Sequence, residues 1–363
     1  MIKNPFIKEI EQKVRAGVRV TREDALRMYQ TDDVIGLGVV ANSIKERKTG
    51  QTVTYVVNRQ INPTNLCVLS CRFCDFAAKK KSAHAYEMNM DEILSKCSED
   101  LSEVHIVGGL HHEWPFEKYL GIVSAIHERF PRIQIKAYTA VEIDFFAKLE
   151  KCSVKNILSR LQEAGLACMP GGGAEVFSER VRKALFPFKI GAPRWLEIHR
   201  TAHELGIRSN STLLYGHMET LEERVDHMLK LRDLQDDTGG FLSFIPLAYQ
   251  PGKTRVVKRQ VSALEDLKTI AISRIFLDNF DHIKSYWVTM GEETASMALH
   301  FGADDLDGTI GEEKIMHFAD AASPVGMAKD RLEYLIRTAG RTPVERDALY
   351  NPARPRKEPA LVS

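Results

Sequence analysis

Three cysteines lie close together in the sequence, and their spacing indicates a metal centre. Cys67, Cys71 and Cys74 follow a Cys-x3-Cys-x2-Cys pattern and account for three of the six cysteines in the chain. Three thiolates on one loop can ligate three irons of a [4Fe–4S] cluster, which leaves the fourth iron without a cysteine. An open coordination position allows a metal centre to bind a small molecule and take part in chemistry. The loop is therefore predicted to carry a reactive iron–sulfur cluster.

Zinc binding and unpaired core thiols are the alternative interpretations of these cysteines. A zinc site usually pairs two Cys-x2-Cys half-sites or combines Cys with His, and His84 could complete such a site here. A disulfide framework needs an oxidising compartment, which nothing in the sequence indicates. The other cysteines, Cys97, Cys152 and Cys168, are isolated and are interpreted as buried structural thiols. The iron–sulfur cluster is the favoured interpretation.

The aromatic residue before the third cysteine extends the pattern. With Phe73 at that position, the loop resembles the signature of the radical S-adenosylmethionine (SAM) superfamily. The resemblance implies that the open iron chelates the amino and carboxylate groups of SAM, and that Phe73 packs near the adenine. It also implies that Cys67, Cys71 and Cys74 are the cluster ligands.

Composition limits the class of protein. The 363 residues suffice for one large domain or two ordinary ones, and the 44% of hydrophobic residues provide for a sizeable core. The 50 basic and 49 acidic residues give no basic field for nucleic acid. No apolar run approaches the roughly 20 residues of a membrane span, and the N-terminus lacks the apolar core of a signal peptide. We therefore expect a cytoplasmic protein that binds neither nucleic acid nor membranes.

The elements that must position the cysteine loop form a repeating pattern. From about residue 52, apolar β-branched runs alternate with helical stretches, which is typical of a parallel α/β sheet. The predicted strands are residues 53–61, 103–107, 133–139, 166–169, 207–215, 241–247, 282–287 and 303–306. Eight units are the number that closes a (β/α)8 TIM-type barrel, and an open sheet of the same units is the alternative.

Three segments are expected along the chain. Apolar positions such as Ile7 and Ile10 recur at helical spacing and predict an N-terminal helical extension over residues 1–50. The barrel is predicted over residues 51–350. The proline-containing residues 351–363 are predicted to be a flexible tail.

Active-site residues are expected where the barrel strands end, because barrel enzymes place their chemistry there. Gly108 and Gly109 follow the second strand, and a glycine pair lets the backbone approach a ligand closely. In radical SAM proteins such a segment meets the SAM amino group; an ordinary tight turn is the alternative. Glu142 follows the third strand and is a candidate catalytic residue, with helix capping as the alternative.

The fourth and fifth strands are followed by further candidates. Glu175 could accept hydrogen bonds from the ribose hydroxyls of SAM. The guanidinium of Arg182 could pair with the methionyl carboxylate of SAM. The alternative is a first-turn acid with a surface arginine. His217 could titrate near neutral pH and move protons as a second candidate catalytic residue, and a structural histidine is the alternative.

Longer strings resemble one family within this superfamily, the aminodeoxyfutalosine synthases of the futalosine route to menaquinone. They lie at residues 59–67, 104–111, 169–175, 214–220, 237–241 and 244–246. The resemblance extends from about residue 20 to residue 345. The dehypoxanthine futalosine cyclases of the same route and one half of the deazaflavin-forming synthase share the cysteine loop and much of the glycine pattern.

The family resemblance implies a reaction. An external one-electron donor of flavodoxin or ferredoxin type reduces the cluster, and SAM is cleaved to methionine and a 5′-deoxyadenosyl radical. The radical adds to 3-[(1-carboxyvinyl)oxy]benzoate and yields 6-amino-6-deoxyfutalosine with loss of carbon dioxide or bicarbonate, so SAM is also a substrate. A cyclase that abstracts hydrogen is the alternative within the superfamily. A non-catalytic iron–sulfur or zinc protein is the alternative of another class, and the polar and glycine residues at the strand ends speak against it.

Overall fold

The computed structural model describes residues 2–353 of the chain. Most of the predicted tail at residues 351–363 therefore lies outside the described residues. Within the described range, no helix is both long enough and apolar enough to cross a membrane.

The described residues alternate between strands and helices. The strands are β1 (Thr52–Val56), β2 (Asn58–Ile61), β3 (Glu103–Ile106), β4 (Gln134–Ala137), β5 (Leu166–Met169), β6 (Arg208–Tyr215), β7 (Phe241–Ala248), β8 (His282–Ile283), β9 (Asp305–Gly308) and β10 (Thr342–Arg346). The helices are α1 (Pro5–Arg15), α2 (Arg22–Gln30), α3 (Val34–Thr49), α4 (Met90–Ser95), α5 (Phe116–Arg129), α6 (Ala140–Glu150), α7 (Val154–Glu163), α8 (Glu179–Leu185), α9 (Ala192–Glu204), α10 (Leu221–Thr238), α11 (Ala263–Phe276), α12 (Trp287–Met290), α13 (Glu292–Ala298), α14 (Ile315–Phe318) and α15 (Lys329–Thr338).

Strands β2 to β9 form a barrel. Strands β2 to β8 pair in chain order, all parallel. The Ser285 amide donates to the Asp305 carbonyl at 2.8 Å, which joins β8 to β9. The Gln60 amide donates to the Ile310 carbonyl at 2.7 Å, which joins the end of β9 back to β2. The eight strands thus enclose one interior, and the predicted TIM-type barrel is confirmed.

The predicted first strand, residues 53–61, is divided into two strands. β1 pairs with β10 and β9, whereas β2 pairs with β3. The division falls at Val57, whose carbonyl accepts from the Ser102 amide at 2.8 Å as the chain passes from one sheet to the other. Both strands are mostly buried and follow one another directly, so the sequence pattern does not reveal that they belong to different sheets. The predicted strand at residues 282–287 is also shorter than expected: β8 ends at Ile283, and Trp287 already belongs to α12.

The N-terminal helices pack on the outer surface of the barrel. Helix α3 lies against α11, and α2 lies against α10 and α11. Charged side chains of the barrel helices bind the N-terminal backbone: Arg232 donates to the Val20 carbonyl at 2.9 Å and Lys268 to the Thr31 carbonyl at 2.8 Å. Three helices are therefore present within the predicted N-terminal extension, residues 1–50. That this segment is a unit separate from the barrel stays a prediction.

The segment after α15 lies at the amino-terminal end of the barrel strands. Arg346 forms an ion pair with Asp305, the first residue of β9, with a shortest N–O distance of 2.5 Å. Tyr350 stacks on His282, the first residue of β8, with ring centroids 3.9 Å apart. These contacts fill the amino-terminal end of the barrel, so the interior cavity lies toward the carboxyl ends of the strands.

Candidate active site

A cavity of about 300 Å³ occupies the barrel interior. Eight of the ten residues proposed from the sequence line it: Cys67, Cys71, Phe73, Cys74, Gly108, Gly109, Glu142 and Glu175. The other two, Arg182 and His217, are absent from its lining. Residues from separate loops thus meet at one place, which is the arrangement that a barrel active site requires.

The cysteine loop presents three free thiols to this cavity. Cys67, Cys71 and Cys74 are all partly exposed, and none of them forms a disulfide. Lys79 holds the loop, because its ammonium donates to the carbonyls of Cys67 at 2.8 Å and Leu69 at 2.9 Å. Free thiols on a fixed loop at a cavity are a donor set that fits an iron–sulfur cluster. No three His, Cys, Asp or Glu side chains in residues 2–353 are grouped around a point that could hold a single metal ion.

The remaining cysteines lie elsewhere. Cys97 and Cys168 are buried, whereas Cys152 is partly exposed, and none of the three lines the cavity. The interpretation as buried thiols is therefore confirmed for Cys97 and Cys168 but is wrong for Cys152. Cys152 is the middle residue of the short connection between α6 and α7, where a side chain reaches solvent more easily than in a strand.

A partly buried cation lies beside the cysteine loop. Lys189 forms an ion pair with Glu175, and its ammonium lies 5.1 Å from the centroid of the Phe73 ring. Burial lowers the pKa of Lys189, but Glu175 and then Cys71 outweigh burial and raise it above its usual value. Burial raises the pKa of the Cys71 thiol to about 11, and Lys189 opposes that increase. Lys189 is a cavity residue that the sequence analysis missed.

Glu142 combines a helix cap with a position on the cavity wall. Its carboxylate accepts hydrogen bonds from the Thr139 amide at 2.7 Å and hydroxyl at 2.9 Å, which is a capping box at the start of α6. It also accepts from the Gly108 amide at 3.1 Å, so it joins the ends of two neighbouring strands. Burial raises its pKa to about 7, although these hydrogen bonds act in the opposite direction. Both the capping role and the cavity position are present.

The glycine pair after β3 allows two backbones to pack closely. A β-carbon on Gly109 would lie 2.1 Å from the Leu66 carbonyl oxygen, and one on Gly108 would lie 2.9 Å from the Thr64 carbonyl oxygen. The Gly109 amide also donates to the Thr64 carbonyl at 2.8 Å. Both glycines are thus needed to dock β3 against the start of the cysteine loop, and they line the cavity as a result.

Arg182 points away from the cavity. Its guanidinium binds Glu179 at 2.7 Å and donates to the carbonyls of Pro187 at 2.7 Å and Lys189 at 3.2 Å. The direct contact with SAM expected from the sequence has no geometric support, because these partners occupy the guanidinium. Its remaining link to the site is the segment that carries Lys189.

His217 is buried and does not line the cavity. Its Nε2 donates to the Leu214 carbonyl at 3.0 Å, and its Nδ1 accepts from the Met218 amide at 2.7 Å. Glu219 lies 3.1 Å from the same ring, and burial lowers the histidine pKa below its usual value. Both ring nitrogens are engaged, so the geometry favours the structural alternative over proton transfer in the cavity.

The end of the cavity farther from the cysteine loop is polar, and the sequence analysis missed it entirely. We call it the polar floor, defined as Gln60, His105, Lys136, Asn210, Lys284 and Asp307. Lys136 is ion-paired with Glu103 at 2.7 Å, and Lys284 with Asp307 at 3.2 Å. A lysine in a short strand normally indicates a solvent-exposed position. Closure of the barrel is what turns these two inward, and a sequence pattern does not report which side chains face the interior.

Family comparisons agree with this geometry. Residues 61–231 match the radical SAM superfamily, and residues 238–359 match the CofH/MqnC C-terminal region. Two solved structures share the fold: a methylornithine synthase (TM-score 0.75, 15% identity, covering 92% of this chain and 97% of that chain) and an FeFe-hydrogenase maturase from Carboxydothermus hydrogenoformans (TM-score 0.70, 18% identity, covering 95% and 80%).

Curated relatives are similar over nearly the whole length. An aminodeoxyfutalosine synthase from Thermus thermophilus is 46% identical, with 97% of each chain covered. One from Streptomyces coelicolor is 42% identical, covering 94% of this chain and 93% of the relative. A cyclic dehypoxanthine futalosine synthase from the same Streptomyces species is 39% identical, covering 96% and 90%. The chain therefore belongs to the radical SAM superfamily, as an enzyme that uses a [4Fe–4S] cluster and SAM and carries the CofH/MqnC C-terminal region.

Proposed function

We propose that this enzyme is an aminodeoxyfutalosine synthase of menaquinone biosynthesis. It joins the adenosyl group of SAM to 3-[(1-carboxyvinyl)oxy]benzoate and forms 6-amino-6-deoxyfutalosine, methionine and carbon dioxide or bicarbonate. The observation that carries the proposal is the 46% identity to a synthase across 97% of the chain, against 39% to the futalosine cyclase. A transferase of this kind needs a cavity that holds SAM and a second ligand together, and the barrel interior offers one.

Cys67, Cys71 and Cys74 are proposed to ligate the cluster, because they are the three free thiols on the cavity wall. When bound, the cluster supplies the electron that cleaves SAM and provides the site where SAM is held. Lys79 and the Arg72 amide, which donates to the Leu185 carbonyl at 2.7 Å, keep the loop in place. The electron is proposed to come from an external flavodoxin or ferredoxin in the cytoplasm.

The residues around the loop are proposed to position SAM. Phe73 packs edge-on against Phe186, with ring centroids 5.8 Å apart, and offers an aromatic wall for the adenine. Glu175 lies on the cavity wall in the left-handed backbone region (φ 49°), where its ion pair with Lys189 fixes its carboxylate for the ribose hydroxyls. Gly108 and Gly109 line the cavity beside the cysteine loop, and this stretch of backbone is proposed to meet the ligand's amino group. The chain's contribution is thus to orient two ligands and exclude water.

Mass spectrometry of an anaerobic turnover tests the proposal. The reaction contains the cluster-loaded enzyme, dithionite, SAM and 3-[(1-carboxyvinyl)oxy]benzoate. A new nucleoside that carries both the adenine and the benzoate is the expected result. Free 5′-deoxyadenosine without this adduct contradicts the proposal and directs the next assay to dehypoxanthine futalosine, the substrate of the alternative cyclase. The matched control is a Cys71→Ala variant, which should form neither product.

A further inference from the structure

The polar floor contains none of the residues that are proposed above to hold the cluster and SAM. We propose that Lys136 and Lys284 bind the carboxylate on the benzoate ring of the substrate. This inference rests on the proposed function, because the substrate is the one named there. It assigns to two lysines the recognition of the carboxylate that does not react.

The floor has unused hydrogen-bonding groups. Among residues 2–353, the Lys136 ammonium has one partner, Glu103, for its three N–H donors, and the Lys284 ammonium has only Asp307 within 3.5 Å. Gln60 is a buried polar residue of the floor, and the buried Nε2 of His105 beside it has no hydrogen-bond partner among residues 2–353. Burying a polar group without a hydrogen-bond partner costs free energy. The presence of such groups on a cavity wall therefore points to a ligand that forms hydrogen bonds with them.

The charges on the floor favour an anion. Among the six residues of the polar floor, the charged groups are the ammonium groups of the two lysines and the carboxylate of Asp307. Glu103 is buried behind the wall, where Asn58 donates to it at 3.0 Å, and it does not line the cavity. A carboxylate placed between the lysines therefore balances the charge of the polar floor. Charge-assisted hydrogen bonds from ammonium to carboxylate are among the strong polar contacts in proteins.

The length of the cavity fits the shape of the substrate. His105 lies level with Lys136 in the sheet register, and Gly108 is three residues further along, roughly 10 Å at the usual rise of a strand. The apolar side chains Ile245 and Leu247 line the cavity and suit an aromatic ring. The ring carboxylate of the substrate is meta to the enol ether. With the alkene near the cysteine loop, that carboxylate points toward the floor.

Two charge-balanced variants test the lysines. Lys136→Met with Glu103→Gln, and Lys284→Met with Asp307→Asn, each remove a cation without leaving its buried partner charged. Dissociation constants are measured anaerobically by titration calorimetry on the cluster-loaded enzyme with SAM and no reductant. The ligands are 3-[(1-carboxyvinyl)oxy]benzoate and 2-phenoxyacrylate, which lacks the ring carboxylate. The matched control is Lys45→Met, a buried lysine that donates to the Gly50 and Thr52 carbonyls outside the cavity.

The wild-type enzyme should bind 2-phenoxyacrylate about 10- to 100-fold more weakly than the benzoate, since hydrogen bonds to charged groups contribute on that scale. Each paired variant should lose a similar factor for the benzoate and bind 2-phenoxyacrylate as the wild type does. Lys45→Met should change neither constant. Equal affinity of the wild type for both ligands overturns the inference without any variant. Paired variants that weaken both ligands equally, or neither, also overturn it.

The two proposals can fail separately. A benzoate that binds through the lysines but gives no nucleoside adduct on turnover contradicts the synthase function and leaves the carboxylate site in place. An adduct formed by both paired variants with unchanged dissociation constants overturns the carboxylate site and leaves the synthase function in place.

Discussion

Two regions of this enzyme bury a carboxyl group whose pKa is raised to about 7, and only one of them faces a cavity. Glu142 lies at the mouth of the barrel, where burial raises its pKa and its partners are backbone and hydroxyl donors. Asp266 lies on α11 outside the barrel wall, where burial has the same effect and Tyr215 donates to it at 2.5 Å. A shifted pKa therefore does not by itself mark a functional site here. Access to the interior distinguishes the two groups.

The outer region is a structural network. Tyr215 and Leu214 are neighbours on β6 and therefore point to opposite faces of the sheet, so Leu214 lines the cavity and Tyr215 meets the helices. Arg224 binds Glu219 at 2.8 Å and Glu265 at 2.7 Å beside it. Breaking this network should lower the free energy of unfolding. A change at Glu142, which lines the cavity at the carboxyl ends of the strands, should instead lower the rate of product formation.

The largest expected effect comes from a cavity cysteine. Cys71→Ala should abolish product formation and lower bound iron, because a thiolate of the open cluster is removed. Cys152→Ala is the matched control, since that thiol is also partly exposed but lies outside the cavity. Iron analysis and the visible spectrum of anaerobic protein provide the measurement. Normal iron content and activity in Cys71→Ala would refute the assignment.

The two carboxyl groups give the most direct test of the comparison. Glu142→Gln should lower the rate of product formation about 10- to 100-fold, because glutamine has one accepting oxygen where Glu142 uses two, one for the Gly108 amide and one for the Thr139 amide. Asp266→Asn should leave that rate within about twofold, since its neighbours do not line the cavity. Steady-state rates at saturating SAM and benzoate are compared. An equal loss of rate in the two variants would mean that facing the cavity does not determine how much a carboxyl group contributes to the rate of product formation.

Asp266 should instead govern how stability depends on pH. Its pKa is about 7 in the folded protein and near 3.8 when unfolded, so the folded state holds more protons between these values. Its contribution to stability is therefore fully present below about pH 4 and is lost as the pH rises toward 7. Asp266→Asn mimics the protonated group and should remove this loss, on the order of 1–4 kcal/mol. Anaerobic urea unfolding at pH 5 and pH 8 measures it, and identical pH dependence in both proteins would exclude the mechanism.

Sequence reasoning located the mouth of the cavity but not its floor. The cysteine loop, Glu142 and Glu175 follow strands directly, and strand ends are readable from alternating apolar runs and capping boxes. Lys136 and Lys284 carry no such signal, because their inward direction depends on closure of the barrel. The sequence pattern does not predict β10 either. Its partner β1 is predicted as part of the first barrel strand, which leaves no strand for β10 to pair with.

Arg182 and His217 show the limit of the same reasoning. Both follow strands and have the chemistry expected of active-site residues, yet local partners engage them. Glu179 lies three positions before Arg182 on the same helix, and Glu219 lies two positions after His217. Acidic residues at such short separations are visible in the sequence. They indicate that a nearby cation or histidine can be satisfied locally before any ligand is considered.

The smallest expected effect concerns Arg182, which contacts the cavity residues only indirectly, through the segment that carries Lys189. Its guanidinium holds the Pro187 and Lys189 carbonyls, and Lys189 in turn pairs with Glu175 on the cavity wall. Arg182→Gln should raise the KM for SAM about two- to threefold with kcat unchanged, whereas Glu175→Gln should raise it about tenfold through direct contact. Arg182→Lys should recover part of the loss, because an ammonium can still donate to one carbonyl. A loss of SAM affinity in Arg182→Gln as large as in Glu175→Gln would mean that the arginine binds SAM itself, and the mouth would then extend to α8.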